Sequence, residues 1–164
     1  MDFTVRPATE KDFPAMLCLW RKMMDFHAQV EPRFRPLPAP EGEAAWEKHM
    51  REDVWGNEEW CILVAESEGE INGQILGMLR DEYPVFEPRR YGYVTDVTVD
   101  PSARRRGVGR ALFETLKDWL RAQGASHLRL TVAHNNPVSQ AFWRAMGCTD
   151  YMDQMWYDLA TEDE

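Results

Sequence analysis

The sequence predicts a single mixed α/β domain, and three observations support that prediction. Runs of β-branched and aromatic residues alternate with amphipathic helical patterns, in the order β-α-α-β-β-β-α-β-α-β. The chain has 164 residues, enough for one hydrophobic core and too few for two. No internal repeat interrupts the pattern. We therefore expect one domain over residues 1–160 and a frayed acidic tail at 161–164.

The composition narrows the classes of function. A formal net charge of −9 disfavours general affinity for nucleic acid or an anionic membrane, although it suits a cationic substrate. Cys18, Cys61 and Cys148 are widely separated and lack metal-ligand spacing, which predicts a reducing compartment without disulfide or zinc frameworks. The N-terminus lacks a signal pattern, and no apolar run is long enough to span a membrane. We expect a cytoplasmic protein without metal, nucleic-acid or membrane partners.

The first strand and the first helix follow from short-range signals. Residues 3–6 alternate in polarity and end at a proline, which is typical of a short strand. Apolar residues then recur at helical spacing from 13 to 27. Thr9 or Asp12 can cap this helix, and Pro14 favours the later start because its missing N–H is not needed in the first turn.

The segment from Glu31 to Pro40 contains four prolines and cannot form a regular helix. It is either a rigid connector or a loop that shapes a substrate site. In the second case Glu31 offers a charge and Phe34 an aromatic wall. Residues 41–54 then predict a second amphipathic helix, which ends at the following glycine.

A β-hairpin is predicted in the middle of the chain. Residues 60–65 form a continuous apolar run typical of a strand buried on both faces, and residues 71–80 return after a turn. Residues 81–90 are polar and contain two prolines. They form either a solvated turn or a second substrate loop, in which Tyr83 is the candidate contact.

The stretch from Tyr91 to Leu112 carries the strongest functional signal. Its first part is β-branched and predicts a strand, and its last part begins a helix. Between them, three arginines at 104–106 lead into Gly107-Val108-Gly109. A glycine loop at a helix N-terminus presents backbone N–H groups and the positive end of the helix dipole. The loop is therefore predicted to bind a phosphate.

The end of the chain predicts one more strand–helix unit. Residues 128–132 alternate as a strand, Asn136 precedes a proline as an N-cap, and Gly147 closes the helix. Residues 151–159 predict one or two last strands. A right-handed strand–helix–strand crossover runs from Val94 through the glycine loop to Leu130, and together with the central hairpin it makes the sheet mixed.

Two nucleotide-binding motifs do not fit the glycine loop. A P-loop needs Gly-Lys-Ser/Thr, but Gly109 is followed by Arg110 and Ala111. A dinucleotide fold needs a third glycine, where this chain has Leu112.

Three motifs resemble another family. Arg104 to Gly109 resembles the Arg/Gln-x-x-Gly-x-Gly/Ala signature of the GNAT acetyltransferase superfamily. Thr4 to Asp12 is similar to that family's opening strand and helix, and Val97 to Pro101 to the strand that enters its signature. Asn136 to Gly147 resembles its Asn-x-x-Ala/Ser-x-x-Phe-Tyr-x-x-x-Gly helix. The motifs occur in the family's order over nearly the whole chain.

The resemblance implies a twisted mixed sheet, splayed between the fourth and fifth strands, with acetyl-CoA in the gap. It implies that pyrophosphate lies on the N–H groups of residues 105–110, that pantetheine pairs with the strand before them, and that Asn136 bonds the pantetheine arm. The cofactor-binding residues carried over by position are Val97, Thr98, Val99, Arg104, Arg105, Arg106, Gly107, Val108, Gly109, Arg110, Asn136, Ser139 and Trp143.

The chemistry of such a transfer requires a base for the amine, a donor for the oxyanion and a proton for the leaving thiolate. The resemblance implies that the Val97 N–H polarises the thioester. Asp96 is the candidate base, or else an anchor for the substrate ammonium. Alternation places Thr95 and Asp96 on opposite faces, so Asp96 can also point away from the cleft. His134 is an alternative base, because imidazoles titrate near neutral pH, or a structural residue.

The sequence departs from the family at Trp143, where many members carry the tyrosine that protonates the thiolate. An indole N–H donates hydrogen bonds but is not an acid in this range. Trp143 is therefore expected only to wall the thiol, with the proton coming from water, Tyr151 or the substrate ammonium.

The sequence thus predicts an N-acetyltransferase that moves the acetyl group of acetyl-CoA to a primary amine of a small molecule or peptide, by direct attack in a ternary complex. The candidate substrate-binding residues are Glu31, Phe34, Tyr83 and Asp96. The alternative is a non-catalytic module that binds or senses acyl-CoA, suggested by Trp143. A homodimer is a further hypothesis, based on apolar residues at 152–157.

Overall fold

A computed structural model describes residues 2–159. In chain order the strands and α-helices of that range are β1 (Thr4–Pro7), α1 (Phe13–Val30), α2 (Glu41–His49), β2 (Trp60–Ser67), β3 (Glu70–Asp81), β4 (Arg90–Val99), α3 (Val108–Ala122), β5 (Leu128–Arg129) and α4 (Pro137–Ala145). A 3-10 turn precedes α1, another follows β4, and a π-helical turn extends α2 over residues 50–54.

The strands form one sheet in the order β1-β2-β3-β4-β5. The first four strands are antiparallel neighbours, and β5 runs parallel to β4. The predicted hairpin of β2 and β3 is formed, with Trp60 opposite Met78 and Ser67 opposite Glu70. The mixed α/β fold predicted from the sequence is therefore confirmed.

Helices cover both faces of the sheet, and each face has its own core. On one face Phe113 of α3 and Trp143 of α4 join the apolar residues of the sheet. On the other, Met16 of α1 and Trp46 of α2 pack over Leu76. The functional loops therefore extend from a framework that is rigid on both sides.

A buried ion-pair cluster fixes the start of α1. Asp12 is 7% exposed, and both its carboxylate oxygens accept hydrogen bonds from Arg6, at 2.7 and 2.8 Å. Arg6 also donates to Glu66 of β2 at 2.8 Å, and the Thr9 N–H donates to Asp12 at 2.7 Å. The later of the two predicted helix starts is the one formed, with Pro14 in the first turn of α1.

Asp12→Asn is expected to destabilise the fold by about 2 kcal/mol at neutral pH. The hydrogen bonds from Arg6 lower the pKa of Asp12 to about 2, so the folded state favours the ionised form. That stabilisation is complete above about pH 4 and is lost as pH falls toward 2. Urea unfolding at pH 7 and pH 2.5 measures both effects. Asp25→Asn is the control, because Asp25 forms an exposed i,i+4 pair with Arg21; an equal loss in both variants would contradict the cluster's role.

A β-bulge in β4 changes which side chains share a face. Asp96 lies opposite Leu76, but the next residue of β3, Gly77, lies opposite Val94, so Thr95 is the extra residue. Val94 belongs to the core under α3, whereas Leu76 belongs to the core under α1 and α2. The bulge therefore turns Asp96 toward α1 and α2, which uninterrupted alternation from Val94 would not do.

The end of the chain differs from the expectation. The strand predicted at 128–132 is formed only at Leu128 and Arg129. Residues 148–159 contain no helix or strand, where one or two last strands are predicted from the sequence. With no partner strand on its outer side in the described range, this segment lacks the ladder hydrogen bonds that would hold it extended. The predicted acidic tail at 161–164 lies outside the described residues.

None of the helices within residues 2–159 combines the length and apolar character needed to span a lipid bilayer.

Candidate active site

The arginine–glycine loop between β4 and α3 has the backbone of an anion site. Arg105 has φ 61° and Gly107 has φ 86°, so the chain turns through left-handed conformations just before α3. The helix makes its first backbone bond from the Ala111 N–H to the Gly107 carbonyl, at 2.9 Å. The N–H groups of the preceding helical residues are therefore not used by the helix, and they mark its positive end.

The two glycines of the loop have different roles. A Cβ at Gly107 would meet no atom within 4 Å, so the space above it is open, and its positive φ requires glycine. A Cβ at Gly109 would lie 3.3 Å from the Phe142 ring and 3.6 Å from Val99. Gly109 therefore serves the close approach of α3 to α4, and Gly107 leaves room for a ligand.

The end of β4 is anchored to α1. Lys22 bonds to Asp100 at 2.7 Å, and the same carboxylate accepts from the Ser102 N–H at 3.0 Å and its hydroxyl at 2.7 Å. Lys22 is the main cause that lowers the pKa of Asp100 to about 2. Arg104 donates to the Val99 carbonyl at 3.1 Å. These bonds fix the direction in which the chain enters the loop.

The second half of β4 has an open edge. β5 pairs with β4 only at Gly92–Leu128 and Tyr93–Arg129 and then leaves it. The Asp100 N–H donates to the Asn72 carbonyl of β3 at 2.8 Å. Bonded and non-bonded pairs alternate along an antiparallel ladder, so the N–H groups of Val97 and Val99 point away from β3. They point into the gap between β4 and β5, which is the predicted splay.

Asn136 and Ser139 lie at the start of α4, the helix that follows β5. Asn136 is 3% exposed, and its side-chain oxygen accepts from the Ser139 N–H at 3.1 Å. This N-cap fixes the orientation of the amide, so its NH₂ group is the part that can donate to a ligand. At the narrow end of the gap, the hydroxyls of Tyr93 and Thr131 are 3.2 Å apart.

Asp96 is half-buried on the face covered by α1 and α2. Loss of hydration raises the pKa of Asp96 to about 6, and the Thr95 hydroxyl and the charge of His49 only partly oppose this. A carboxylate that takes up a proton near pH 6 suits a general base, because it is ionised at neutral pH and still basic enough to accept a proton. Val97, whose N–H faces the gap, is the next residue along the strand.

Two of the predicted cofactor-binding residues have side chains that are buried in the protein core. Thr98 is 8% exposed and donates from its hydroxyl to the Met23 sulfur at 3.1 Å, under α1. Trp143 is 5% exposed and packs edge-on against Phe113 and Phe142, with ring centres 5.2 and 4.9 Å apart. Packing accounts for both side chains, so contacts from them to a cofactor stay a prediction, and for Thr98 such a contact would use the backbone.

The predicted substrate loop after α1 contacts Asn135, the residue before the N-cap of α4. Glu31 accepts from Arg33 at 2.7 and 2.9 Å and from the Asn135 amide at 3.4 Å. Arg33 lowers the pKa of Glu31 to about 2, so this carboxylate already has a cation partner. Phe34 contacts His27 edge-on, with ring centres 5.3 Å apart. It lines a cavity of about 250 Å³ whose other residues are Trp20, Met24, Arg35, Pro36, Leu37, Gly42, Ala45 and Trp46.

Tyr83 and His134 are not brought to Asp96 by these contacts. Tyr83 is 70% exposed on the loop between β3 and β4. Asp96 is six positions after Arg90 in β4, a distance of roughly 20 Å at the rise of a strand. His134 is exposed in the β5–α4 connection, and its carbonyl accepts from Gln140 at 2.7 Å. Both functional assignments stay predictions.

Two residues near Asp96 were not identified as candidates from the sequence. His49 at the end of α2 is close enough to act on Asp96 electrostatically, and it bonds to Asp53 at 2.8 Å. Gln74 is fully buried in β3 on the face that holds Asp96. An amide directly before the apolar pair Ile75-Leu76 of β3 was the available signal. Within residues 2–159 no cluster of three or more potential ligands could hold a metal ion.

Comparison with known proteins identifies the family of the chain. The sequence model of the Acetyltransferase (GNAT) family matches residues 26–148. The chain is 34% identical over 93 residues to the L-2,4-diaminobutyric acid acetyltransferase of Nocardia farcinica, a match that covers 53% of this chain and 46% of that protein. The matched region is thus less than half the length of that relative.

Two solved acetyltransferases share the fold. The aminoglycoside antibiotic 6′-N-acetyltransferase AAC(6′)-Ig of Acinetobacter haemolyticus has a TM-score of 0.76 at 20% identity, over 97% of this chain and 99% of that one. AAC(6′)-Iy, in complex with the bisubstrate analogue CoA-S-monomethyl-acetylneamine, has a TM-score of 0.71 at 17% identity, over 98% and 100%. At these identities the likeness concerns the fold alone. The family match covers most of the chain, and on that ground the chain belongs to the acetyltransferase (GNAT) family, a family of acyl-transferring enzymes.

Proposed function

We propose that this protein is an N-acetyltransferase that moves the acetyl group of acetyl-CoA to a primary amine of a small molecule or peptide, by direct attack in a ternary complex. The observation that carries the proposal is the open edge of β4, which leads from Asp96 to the glycine loop at the start of α3. One continuous strand end thus joins a proton acceptor to an anion site.

The residues of the gap fit the cosubstrate of this family. Open space above Gly107 and the first N–H groups of α3 suit a pyrophosphate. The N–H groups of Val97 and Val99 suit the amides of a pantetheine arm, which would add to the sheet as a strand does. The Asn136 amide supplies a further donor from the opposite side.

The chain's residues have defined roles in the proposed transfer. Acetyl-CoA supplies a thioester, whose carbonyl carbon gains the C–N bond as its C–S bond breaks. The Val97 N–H donates to the carbonyl oxygen as negative charge develops there. Asp96 accepts the proton lost by the amine, directly or through one water. The proton for the thiolate comes from solvent, from Tyr151 or from the substrate ammonium.

The amine-bearing substrates named in the relatives guide the choice of acceptors. Diaminobutyric acid and aminoglycosides both carry more than one amino group, and an acidic protein favours such cations. Release of CoA thiol should be measured with diamino acids, aminoglycosides, polyamines and peptides. Turnover with intersecting initial-rate lines supports direct transfer. Parallel lines would indicate an acetyl-enzyme, and absence of turnover with every amine would contradict the proposal.

The non-catalytic alternative rests on Trp143 in place of tyrosine. Because Trp143 packs in the core against Phe113, its presence has a structural reason that does not require loss of catalysis. Binding of acetyl-CoA without turnover of any amine would favour the sensing module.

A homodimer is the proposed assembly, and a cytoplasmic location also stays a prediction. Large side chains more than 60% exposed occur along the last described segment: Tyr151, Met152, Met155, Trp156, Tyr157 and Leu159. Exposed apolar side chains that lie close together in the chain are a candidate surface for association. Light scattering at micromolar concentration should give twice the chain mass, and a monomer mass would contradict the dimer. Met155→Asp is expected to shift the mass toward the monomer.

A further inference from the structure

The two faces of the β3–β4 ladder differ in polarity. On the face toward α3 the paired residues are Gly73 with Val99 and Ile75 with Val97. On the face toward α1 the corresponding pairs place Gln74 opposite Thr98, and Leu76 opposite Asp96. Polar groups are thus concentrated on one face, under a helix that is otherwise packed through apolar residues.

Among these polar residues, Gln74 has a buried side chain whose polar atoms lack hydrogen-bond partners in the described part of the chain. Its side chain is 0% exposed, and neither its amide oxygen nor its amide nitrogen has a hydrogen-bond partner within residues 2–159. Burying an amide without partners costs about 1–3 kcal/mol. Methionine or leucine would fill the same space without that cost, so the amide requires a partner.

Asp96 lies on the same face of the ladder as Gln74, one cross-strand pair away along that face. Gln74 faces Thr98, and Asp96 is two residues from Thr98 on the same face of β4. Such diagonal neighbours have Cα atoms about 7–8 Å apart, a span that a glutamine and one water can bridge. Buried water usually makes about three hydrogen bonds to groups that lack other partners.

We propose that Gln74 holds an internal water molecule beneath α1 which donates a hydrogen bond to the Asp96 carboxylate, and that Gln74 is thereby a positioning residue for the general base. The inference rests on the proposed role of Asp96. Gln74 would keep the ionised form of Asp96 accessible at neutral pH despite its burial.

Two charged groups on the helices that cover this face have partners of their own. His49 approaches from α2 and is bonded to Asp53. On the side of α1, Lys22 is bonded to Asp100 at the end of β4. A change at Gln74 alters neither pair, so its effect on Asp96 can be measured by itself.

The test is Gln74→Met, which keeps the volume and removes the amide. A ¹³C NMR titration of the Asp96 carboxyl, on the enzyme without cofactor or amine, should show a pKa about one unit higher than in wild type. The acid limb of kcat/KM should move upward by the same amount. Ser67→Ala is the control, because it removes another buried polar contact, to the Asp2 carbonyl at 3.0 Å, away from Asp96; its Asp96 titration should match wild type.

A high-resolution crystal structure of the wild type provides a second measurement that does not depend on the variant folding. Water bonded to both Gln74 and Asp96 is the expected result. A dry site, or an unchanged Asp96 titration together with a higher melting temperature of Gln74→Met, would overturn the inference. The titration needs no turnover, so it can fail or succeed independently of the proposed acetyl transfer, which Asp96→Asn tests.

Discussion

Asp96→Asn is expected to lower kcat/KM by about 10²- to 10⁴-fold, the usual contribution of a positioned general base. The asparagine keeps the shape of the side chain but cannot accept the amine proton. The dissociation constant of acetyl-CoA should change little, because the proposed contacts of Asp96 are with the amine. Initial rates of thiol release and calorimetric titration of acetyl-CoA measure the two quantities.

Asp118→Asn is the matched control for this variant. Its carboxylate lies on the exposed side of α3, 3.1 Å from Arg121, and the change should leave kcat/KM as in wild type. If Asp96→Asn retained wild-type activity with every amine, Asp96 would not be the base. His134 would then be the next residue to replace.

The pH dependence of the same reaction follows from the burial of Asp96. Because the pKa of Asp96 is raised to about 6, kcat/KM of wild type should fall below pH 6 as the carboxylate takes up a proton.

The effect of pH on stability through Asp96 is opposite in sign to the effect through Asp12. A raised carboxyl pKa means that the folded state binds the proton more tightly, so stability is lost as pH rises from about 4 to about 6. Asp96→Asn removes this cost, on the order of 2–3 kcal/mol, and should raise the melting temperature at pH 7 by several degrees.

Gly109→Glu is expected to weaken acetyl-CoA binding at least about 100-fold more than Gly109→Gln does, since a carboxylate beside the pyrophosphate adds repulsion between like charges. Both side chains must displace the Phe142 ring, which would lie 3.3 Å from the new Cβ. The glutamine variant therefore accounts for the steric part, and the difference between the two isolates the charge. Calorimetric titration at low and high salt measures it, and the difference should shrink at high salt.

Equal affinities of the two variants would contradict the assignment of the phosphate site to this loop. Thermal unfolding followed by circular dichroism separates loss of binding from loss of fold. A matched melting temperature in the two variants is the condition for interpreting their affinities.

Local patterns were sufficient to predict most of the elements. The proline at the first turn of α1, the turn between β2 and β3 and the glycines before α3 all act within a few residues of their own position. Signals of this kind depend on backbone sterics and on unused N–H groups, which do not require the rest of the fold. The candidate anion loop could therefore be identified from the sequence, and its binding of an anion stays a prediction.

The orientation of Asp96 could not be predicted, because it depends on a mismatch between two strands. Thr95 is the bulge residue because no residue of β3 pairs with it in the ladder, and the sequence of residues 91–99 alone does not reveal this. The polarity of that strand is compatible with either orientation, since Asp96 follows a threonine and precedes a valine. A single added residue reverses the faces of all that follow it.

Two other differences have the same origin in long-range packing. Trp143 occupies the position of the family's tyrosine, but its burial depends on Phe113, which lies 30 residues earlier. The segment after α4 has a strand-like composition, yet a strand needs a neighbour that offers an edge at the right place. Composition specifies the propensity, and the three-dimensional arrangement decides whether it is used.

Binding of acetyl-CoA along the open edge of β4, as proposed above, would link the stability of the protein to the supply of that cosubstrate. A ligand that pairs with Val97 and Val99 binds only the folded chain, because the unfolded chain has no such edge. At 100 times its dissociation constant, that ligand adds about 2.7 kcal/mol to the free energy of unfolding. Resistance to heat and to proteases would then rise and fall with the supply of acetyl-CoA, so the abundance of the enzyme would follow the concentration of its own donor.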